Sequence, residues 1–259
     1  MSIGNDPLVS IVMPVYNSEA FVAEALESVL AQTYRNWELV VVDDCSNDGS
    51  AAIIEEFAAR HGENRIRFFR HESNKGAAAT RRTAFGKVNG DVLAFLDSDD
   101  VWMPEKLERQ LEFMRRADVA MCFTAYETVE ADGSHRNFVH VPESLDYHGF
   151  LKNTVTCTHT VAFDLRKVPF GLFLVQHPTG YDYPEDLDTW LRILKSGIVG
   201  HGFNEVLAKY RKHRCSRSSY KVKAVSRTWN QYRRNEGLSV PYSAYCLFWQ
   251  LFHAVLKRI

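Results

Sequence analysis

The chain has 259 residues, 46% hydrophobic and 24% charged, enough for one large α/β domain or a domain plus a small appendage, and too apolar for intrinsic disorder. With 31 basic and 32 acidic residues the net charge is −1, so no global field recruits nucleic acid. Its five cysteines (Cys45, Cys122, Cys157, Cys215, Cys246) are far apart and form no C-x-x-C, the usage expected of reduced thiols in a cytoplasmic protein. The N-terminus, MSIGNDPLVS, lacks the basic and apolar regions of a signal peptide, and no apolar run reaches the roughly 18 residues of a membrane span.

Val9 to Val15 is a short apolar run in which Pro14 ends the ladder, and it predicts a first strand. Ser18 is placed to cap a helix whose apolar stripe is Val22, Leu26, Val29 and Leu30. Leu39 to Val42 predicts a second, buried strand that stops at Asp43-Asp44, and Asp48-Gly49 turns the chain into a helix carrying Ile53, Ile54 and Phe57. Ile66 to Phe69 is a third strand, Gly76 to Val88 a helix, and Val92 to Leu96 a fourth strand running into Asp97. Pro104 suits the first turn of a helix with Leu107, Leu111 and Met114 on one face, and Met121 to Tyr126 returns as a strand. This alternation predicts an α/β fold with a mostly parallel, doubly wound sheet flanked by helices. The polar clusters Tyr16-Asn17, Asp43-Asp44, His71 to Lys75 and Asp97 to Asp100 all follow strands, so they converge on one sheet edge.

Asp97-Ser98-Asp99-Asp100 is the sharpest feature. Carboxylates at i and i+2 of an extended chain share a side, and two hard oxygen donors at a strand exit suit Mg²⁺ or Mn²⁺ shared with a diphosphate. The bland alternative is a solvated acidic loop before the next helix. Asp43-Asp44 either accepts from a base or ribose, or caps the following helix. Tyr16 either stacks on a base or fills the core. No G-x-G-x-x-G follows the first strand and no P-loop occurs, so phosphate charge falls to metal and to Lys75, Arg81 and Arg82. Glu185, Asp186 and Asp188 open a helix with Leu187, Trp190, Leu191 and Leu194 on its apolar face. Acids there answer the helix dipole, or one of them deprotonates an acceptor hydroxyl. One positioned carboxylate without a covalent partner suits a single displacement with inversion. Tyr210 to Arg214 with Ser216 and Ser218 is a basic, hydroxyl-rich segment in which His213 is a candidate ligand of a metal or a diphosphate. Tyr242 to Ile259 has the spacing of an amphipathic helix, ending in Lys257 and Arg258. It docks on its own domain or touches an anionic bilayer.

Together these stretches resemble the family 2 glycosyltransferases, inverting enzymes with the GT-A fold. The matches run in the family's order: Val9 to Asn17, Val41 to Ser50, Asn74-Lys75-Gly76 with Arg81, Phe95 to Asp100, Glu185-Asp186 with Trp190 to Arg192, and Tyr210-Arg211 with His213. The resemblance implies a catalytic domain over 1–220, with a nucleotide-binding half to about 126 and an acceptor half from 127, followed by a helical extension over 221–259. It implies a nucleotide site made of Pro14, Tyr16, Asn17, Asp43, Asp44, Asn74, Gly76, Arg81, Asp97 and Ser98. Asp97 and Asp99 would form the D-x-D site for Mn²⁺ or Mg²⁺, with His213 near the metal or diphosphate. Asp186 would be the base, with Glu185 its rival. Arg82 departs from the family, which often has Asn there. Tyr220 to Arg234 with Glu236 to Ser239 resembles a bacterial subgroup that builds surface polysaccharides of the teichuronic acid, capsule or O-antigen type. That implies a UDP-sugar donor, a glycan or lipid-linked acceptor, and work in the cytoplasm or peripherally at the inner membrane's cytoplasmic face. Two rival classes remain: a sugar nucleotidyltransferase, which usually carries a glycine- and arginine-rich loop where Met13 to Ser18 stands, and a non-catalytic binding protein, which would show a damaged acidic set.

Overall fold

The computed structural model describes residues 3–4, 6–62, 65–153, 155–175, 181–213 and 221–256. The expected Arg214, Ser216 and Ser218 of the basic segment, Cys215, and Lys257 and Arg258 lie outside the described residues. Strands β1 (Val9–Val15), β2 (Trp37–Asp43), β3 (Ile66–Arg70) and β4 (Val92–Phe95) alternate with helices α1 (Val22–Leu30), α2 (Ser50–His61) and α3 (Ala77–Phe85). After them come β5 (Val101–Trp102), α4 (Lys106–Ala117), β6 (Met121–Glu130), β7 (His135–Val139), β8 (Ser144–Leu145), α5 (Tyr147–Lys152), β9 (Ala162–Asp164), α6 (Glu185–Lys195) and β10 (Gly200–Lys212). Two further helices, α7 (Lys221–Asn230) and α8 (Val240–Leu256), close the chain.

The strands form one sheet in the order β3-β2-β1-β4-β9-β6-β10-β5, with β7 beside β6 and β8 beside β10. The β3-β2-β1-β4 part is parallel throughout, as the alternation predicted. All seven residues of β2 are buried, because helices cover both faces of a parallel sheet. Right-handed crossovers put α1 and α2 on one face and α3 on the other, since β1 to β3 runs towards one edge and β4 steps back. The strand order therefore reverses between β1 and β4, and a crevice opens at their carboxyl ends. From β9 onward the sheet is mixed: β9 is antiparallel to β4 and β6, while β10 is parallel to β6. The expected division near residue 126 falls inside β6, so one continuous sheet underlies both halves.

Two packing details set the geometry of the crevice. β5 pairs with β10 through Val101↔Lys209 and Trp102↔Ala208, which draws the end of β10 alongside the Asp97–Asp100 loop. Trp190, on the buried face of α6, meets Phe95 of β4 and Phe163 of β9 with ring centroids 5.0 Å away in each case. Phe95 lies two residues before Asp97, and Trp190 lies four after Asp186. The aromatic contact thus fixes the start of α6 over the exit of β4.

Two local expectations change. Ser18 does not cap α1: its carbonyl accepts from the Phe21 and Val22 amides, while its hydroxyl lies 2.6 Å from the Ser98 hydroxyl. The C-terminal amphipathic helix docks against α5 through buried Ser243 and Cys246, not through its aromatic stripe. Phe248 and Val255 are 63% and 58% exposed, and Tyr245 and Phe252 lie open beside them. Among the described residues no helix is long and apolar enough to cross a membrane.

Replacing Trp190 with alanine removes the aromatic body between α6 and β4, and we expect a loss of about 3–5 kcal/mol in urea unfolding. A loss under about 1 kcal/mol would show that the rings do not carry this junction.

Candidate active site

Tyr16-Asn17, Asp43-Asp44, His71 to Lys75 and Asp97 to Asp100 follow β1, β2, β3 and β4 at their carboxyl ends, on the rim of one crevice. Tyr16 is half exposed just past β1. Beside it, Asn17 adopts φ +48°, and its side-chain oxygen accepts from the Asn47 amide (2.9 Å). Pro14 is partly exposed near the end of β1.

The two acids after β2 turn inward. Asp43 is fully buried, holds the Ser46 hydroxyl and amide, and lies 3.1 Å from the Arg70 guanidinium. Asp44 accepts from the Lys75 amide (2.8 Å) and the Gly76 amide (2.7 Å), with His71 Nδ1 2.7 Å away. Asn74 donates to the Asp44 carbonyl (3.3 Å). Burial opposes charge on Asp44, but His71 and the two amides outweigh it and hold its pKa below 3.8. Gly76 stands at φ +83° immediately before α3, a backbone state that favours glycine, and its amide is thereby aimed at Asp44. The loop that delivers α3 is therefore tied to the exit of β2 by one carboxylate. Ser98 likewise faces inward, buried against Ser18.

The Asp97–Asp100 loop is a turn, not the extended chain expected, with the Asp100 amide donating to the Asp97 carbonyl (3.1 Å). Asp97 and Asp99 consequently reach different partners. Asp97 Oδ1 accepts from Arg81 of α3 at 2.5 Å, and the other arm of the same guanidinium donates to Glu185 at 2.5 Å. Arg81 is largely withdrawn from water, its side chain 12% exposed, which disfavours its charge, but Asp97, Glu185 and Asp186 outweigh this and keep it firmly protonated. Asp99 Oδ2 lies 2.8 Å from His213 Nε2, and this hydrogen bond, more than the opposing burial, raises the pKa of His213. Asp100 is buried, with Oδ1 accepting the Arg211 amide (2.8 Å) and Oδ2 2.6 Å from His159 Nδ1. Burial pushes its carboxyl up to about 6, with His159 opposing and Asp99 adding.

Arg211 straps the loop. Its guanidinium donates to the Asp99 carbonyl (3.0 Å), the Ala131 carbonyl (3.0 Å) and Glu24 of α1. Two residues later His213 meets Asp99. On the other side of the crevice Asp186 accepts from the Thr158 hydroxyl (3.0 Å) and the Leu187 amide (2.8 Å). Glu185 lies between Arg81 and Arg227, whose nearest nitrogen is 3.3 Å away. Arg81, Arg82, Thr158, Tyr183, Glu185 and Asp186 line an open cleft walled by Phe85, Phe95, Phe173 and Val175.

Among the described residues no three His, Cys, Asp or Glu side chains converge tightly enough to enclose a cation by themselves. Asp99 and His213 are paired, while Asp97 is turned to Arg81. Carboxylate oxygens with one imidazole nitrogen still suit Mg²⁺ or Mn²⁺, which take few protein ligands and complete their shell from diphosphate and water. The imidazole of His213 must be neutral to bind such an ion, so cation and proton compete there. Sequence reading singled out Arg81, Asp97, Asp99, Asp186 and His213, which the fold brings to this crevice, and passed over Thr158, His159, Glu24 and Arg227. The Thr-rich run Asn153 to Thr160 was the only signal for two of these.

We expect Asp44→Asn to cost about 1–3 kcal/mol near pH 7, because one of its buried donors loses an acceptor. A carboxylate with depressed pKa contributes stability above its ordinary 3.8, and that contribution is lost as pH falls through the folded value. Urea unfolding should therefore show the wild-type advantage shrinking between about pH 5 and pH 2, and a gap that stays constant over that range contradicts the assignment.

The family model for "Glycosyl transferase family 2" matches residues 10–168. The chain is 40% identical over 254 residues, 98% of each chain, to TuaG of Bacillus subtilis (strain 168), a protein named as a teichuronic acid biosynthesis glycosyltransferase. It is 37% identical over 230 residues, 87% of this chain and 85% of the relative, to WfgD of Escherichia coli, named as a UDP-Glc:alpha-D-GlcNAc-diphosphoundecaprenol beta-1,3-glucosyltransferase. Among solved structures, the mannosyltransferase PcManGT of Pyrobaculum calidifontis, in complex with GDP-Man and Mn²⁺, superposes with TM-score 0.68 at 17% identity, covering 94% of this chain and 68% of that one. Residues 1–349 of Staphylococcus aureus TarS, in complex with UDP-GlcNAc, superpose with TM-score 0.65 at 19% identity, covering 92% and 70%. These likenesses establish the GT-A fold.

Proposed function

The chain belongs to glycosyl transferase family 2, and on that premise we propose that it moves a hexose from a UDP-sugar to a hydroxyl of a lipid-diphosphate-linked glycan, with inversion, during bacterial surface polysaccharide synthesis. The observation that carries the reading is the Arg81 guanidinium, which joins Asp97 at the exit of β4 to Glu185 at the start of α6. The D-x-D loop and the acidic helix thereby share one cleft, with a fixed cation between them.

In this reading the uridine lies over the exits of β1 and β2, against Tyr16 and the loops that Asp43 and Asp44 hold in shape. Asp97, Asp99 and His213 would hold Mn²⁺ or Mg²⁺, which supplies charge neutralisation to the departing diphosphate. Asp186 takes the proton from the acceptor hydroxyl as its oxygen bonds the anomeric carbon and the bond to UDP breaks. Glu185 is less suited to that task, since Arg81 and Arg227 both donate to it, whereas Asp186 accepts from a hydroxyl and a backbone amide. Arg82 lines the acceptor side of the cleft beside the apolar wall of Phe85 and Phe173. The open face of α8, with Tyr245, Phe248, Phe252 and Val255, supports peripheral contact with the cytoplasmic leaflet where a lipid-linked acceptor resides.

Asp186→Asn should lower kcat for acceptor-dependent UDP release about 10²–10⁴-fold while donor affinity holds. In the same preparations a UDP-sugar should raise Tm only with Mn²⁺ or Mg²⁺, and Asp99→Ala should abolish the rise. Undiminished turnover in Asp186→Asn, or a full Tm rise in chelator, would refute the corresponding assignment.

A further inference from the structure

Tyr181, Asp182 and Tyr183, the described residues just before Pro184 and α6, are hydrogen-bonded to the C-terminal extension. Arg227 of α7 donates through Nε to Asp182 (3.1 Å) and through one terminal nitrogen to the Tyr183 carbonyl (3.0 Å) and Glu185 (3.3 Å). Asn230, at the end of α7, donates to the Asp182 carbonyl (3.0 Å). Just beyond, the side-chain amides of Gln231 and Asn235 both donate to Asp188, at 2.8 and 3.0 Å. The Arg227 side chain is only 14% exposed although it stands on a terminal helix.

Charge explains why the extension is needed. Asp182, Glu185, Asp186 and Asp188 place four carboxylates within seven residues. Arg81 answers Glu185 but is shared with Asp97, and Arg192 answers Asp188. Without Arg227, Asp182 and the outer oxygen of Glu185 lose the guanidinium that draws them together, and like charges drive the turn apart. Fixing each loose backbone residue costs about 1–2 kcal/mol, so an unclamped turn samples many positions of its carboxylates.

We propose that Arg227 is a positioning residue of the transfer reaction: reaching in from the C-terminal extension, it pins Glu185 and the preceding turn so that the Glu185-Asp186 pair faces the cleft. This rests on the transferase reading above. The extension is then part of the catalytic apparatus and not a dispensable tail.

The test uses the full chain with Arg227→Ala, Arg227→Gln and Arg227→Lys, assayed by acceptor-dependent UDP release beside Asp186→Asn. A displaced base lowers the chemical step by up to about 100-fold, so Arg227→Ala should cut kcat about 10–100-fold. Its donor KM should stay within about twofold and its Tm within a few degrees. Arg227→Lys restores the charge but not the forked geometry, and should recover part of kcat. In a Glu185→Gln background, adding Arg227→Ala should cost less than about threefold more, because both changes break one unit. A kcat for Arg227→Ala within twofold of wild type overturns the proposal, and so does a loss that appears entirely in donor KM. If the alanine variant fails to fold, Arg227→Gln decides, and unaltered kcat in it is equally fatal. Turnover surviving in Asp186→Asn would sink the base assignment alone, since the Arg227 readout is taken against wild-type kcat.

Discussion

The largely buried guanidinium of Arg81 ties the two walls of this crevice together. Arg81 has lost most of its water, a state that is stable only because Asp97 and Glu185 each accept from one of its arms. Removing either carboxylate leaves a buried charge half compensated, so the exit of β4 and the start of α6 cannot drift apart cheaply. Beneath the ion pairs, the contact of Phe95 and Phe163 with Trp190 sets the same distance by packing. Electrostatics and close packing therefore specify one geometry, and their agreement is what makes a preorganised site.

Around that centre the four residues of the Asp97–Asp100 loop divide the work. Asp97 faces Arg81, Ser98 is buried against Ser18, Asp99 faces His213, and Asp100 is buried between the Arg211 amide and His159. Only Asp97 and Asp99 keep open surface. The inward pair anchors the turn to Ser18, in the loop between β1 and α1, and to β10. Arg211 extends the same logic, joining the loop to Glu24 and to the turn after β6. The same pattern of long-range side-chain bonds recurs where Arg227, Gln231 and Asn235 meet the acidic start of α6.

Most of this arrangement was readable from the chain because it obeys local periodicity. The parallel strands appear as apolar runs, the polar clusters follow them, and the sheet rule gathers strand exits on one edge. Leu187, Trp190, Leu191 and Leu194 were likewise visible at helical spacing and are all buried. What escaped were contacts between residues far apart in sequence. Arg227 lies 42 residues from Glu185, and Arg211 lies 187 from Glu24, distances over which no periodic pattern operates. Thr158 stood in a Thr-rich stretch with no role, because a hydroxyl that braces a carboxylate has no spacing rule. The direction of the Asp43, Asp44 and Ser98 side chains was also hidden, since a polar residue after a strand turns outward or inward according to partners the local sequence does not name. α8 was legible as amphipathic, but only the packing of Ser243 and Cys246 shows that its aromatic stripe faces out.

The most direct measurement is a double-mutant cycle on kcat/KM for sugar transfer, with Arg81→Gln, Glu185→Gln and the pair combined. If one guanidinium couples the two walls of the crevice, the double variant should be less impaired than the product of the singles, by about 1 kcal/mol or more of coupling. Strictly additive losses would mean that Arg81 and Glu185 act independently, and the account of a site built around their junction would be wrong.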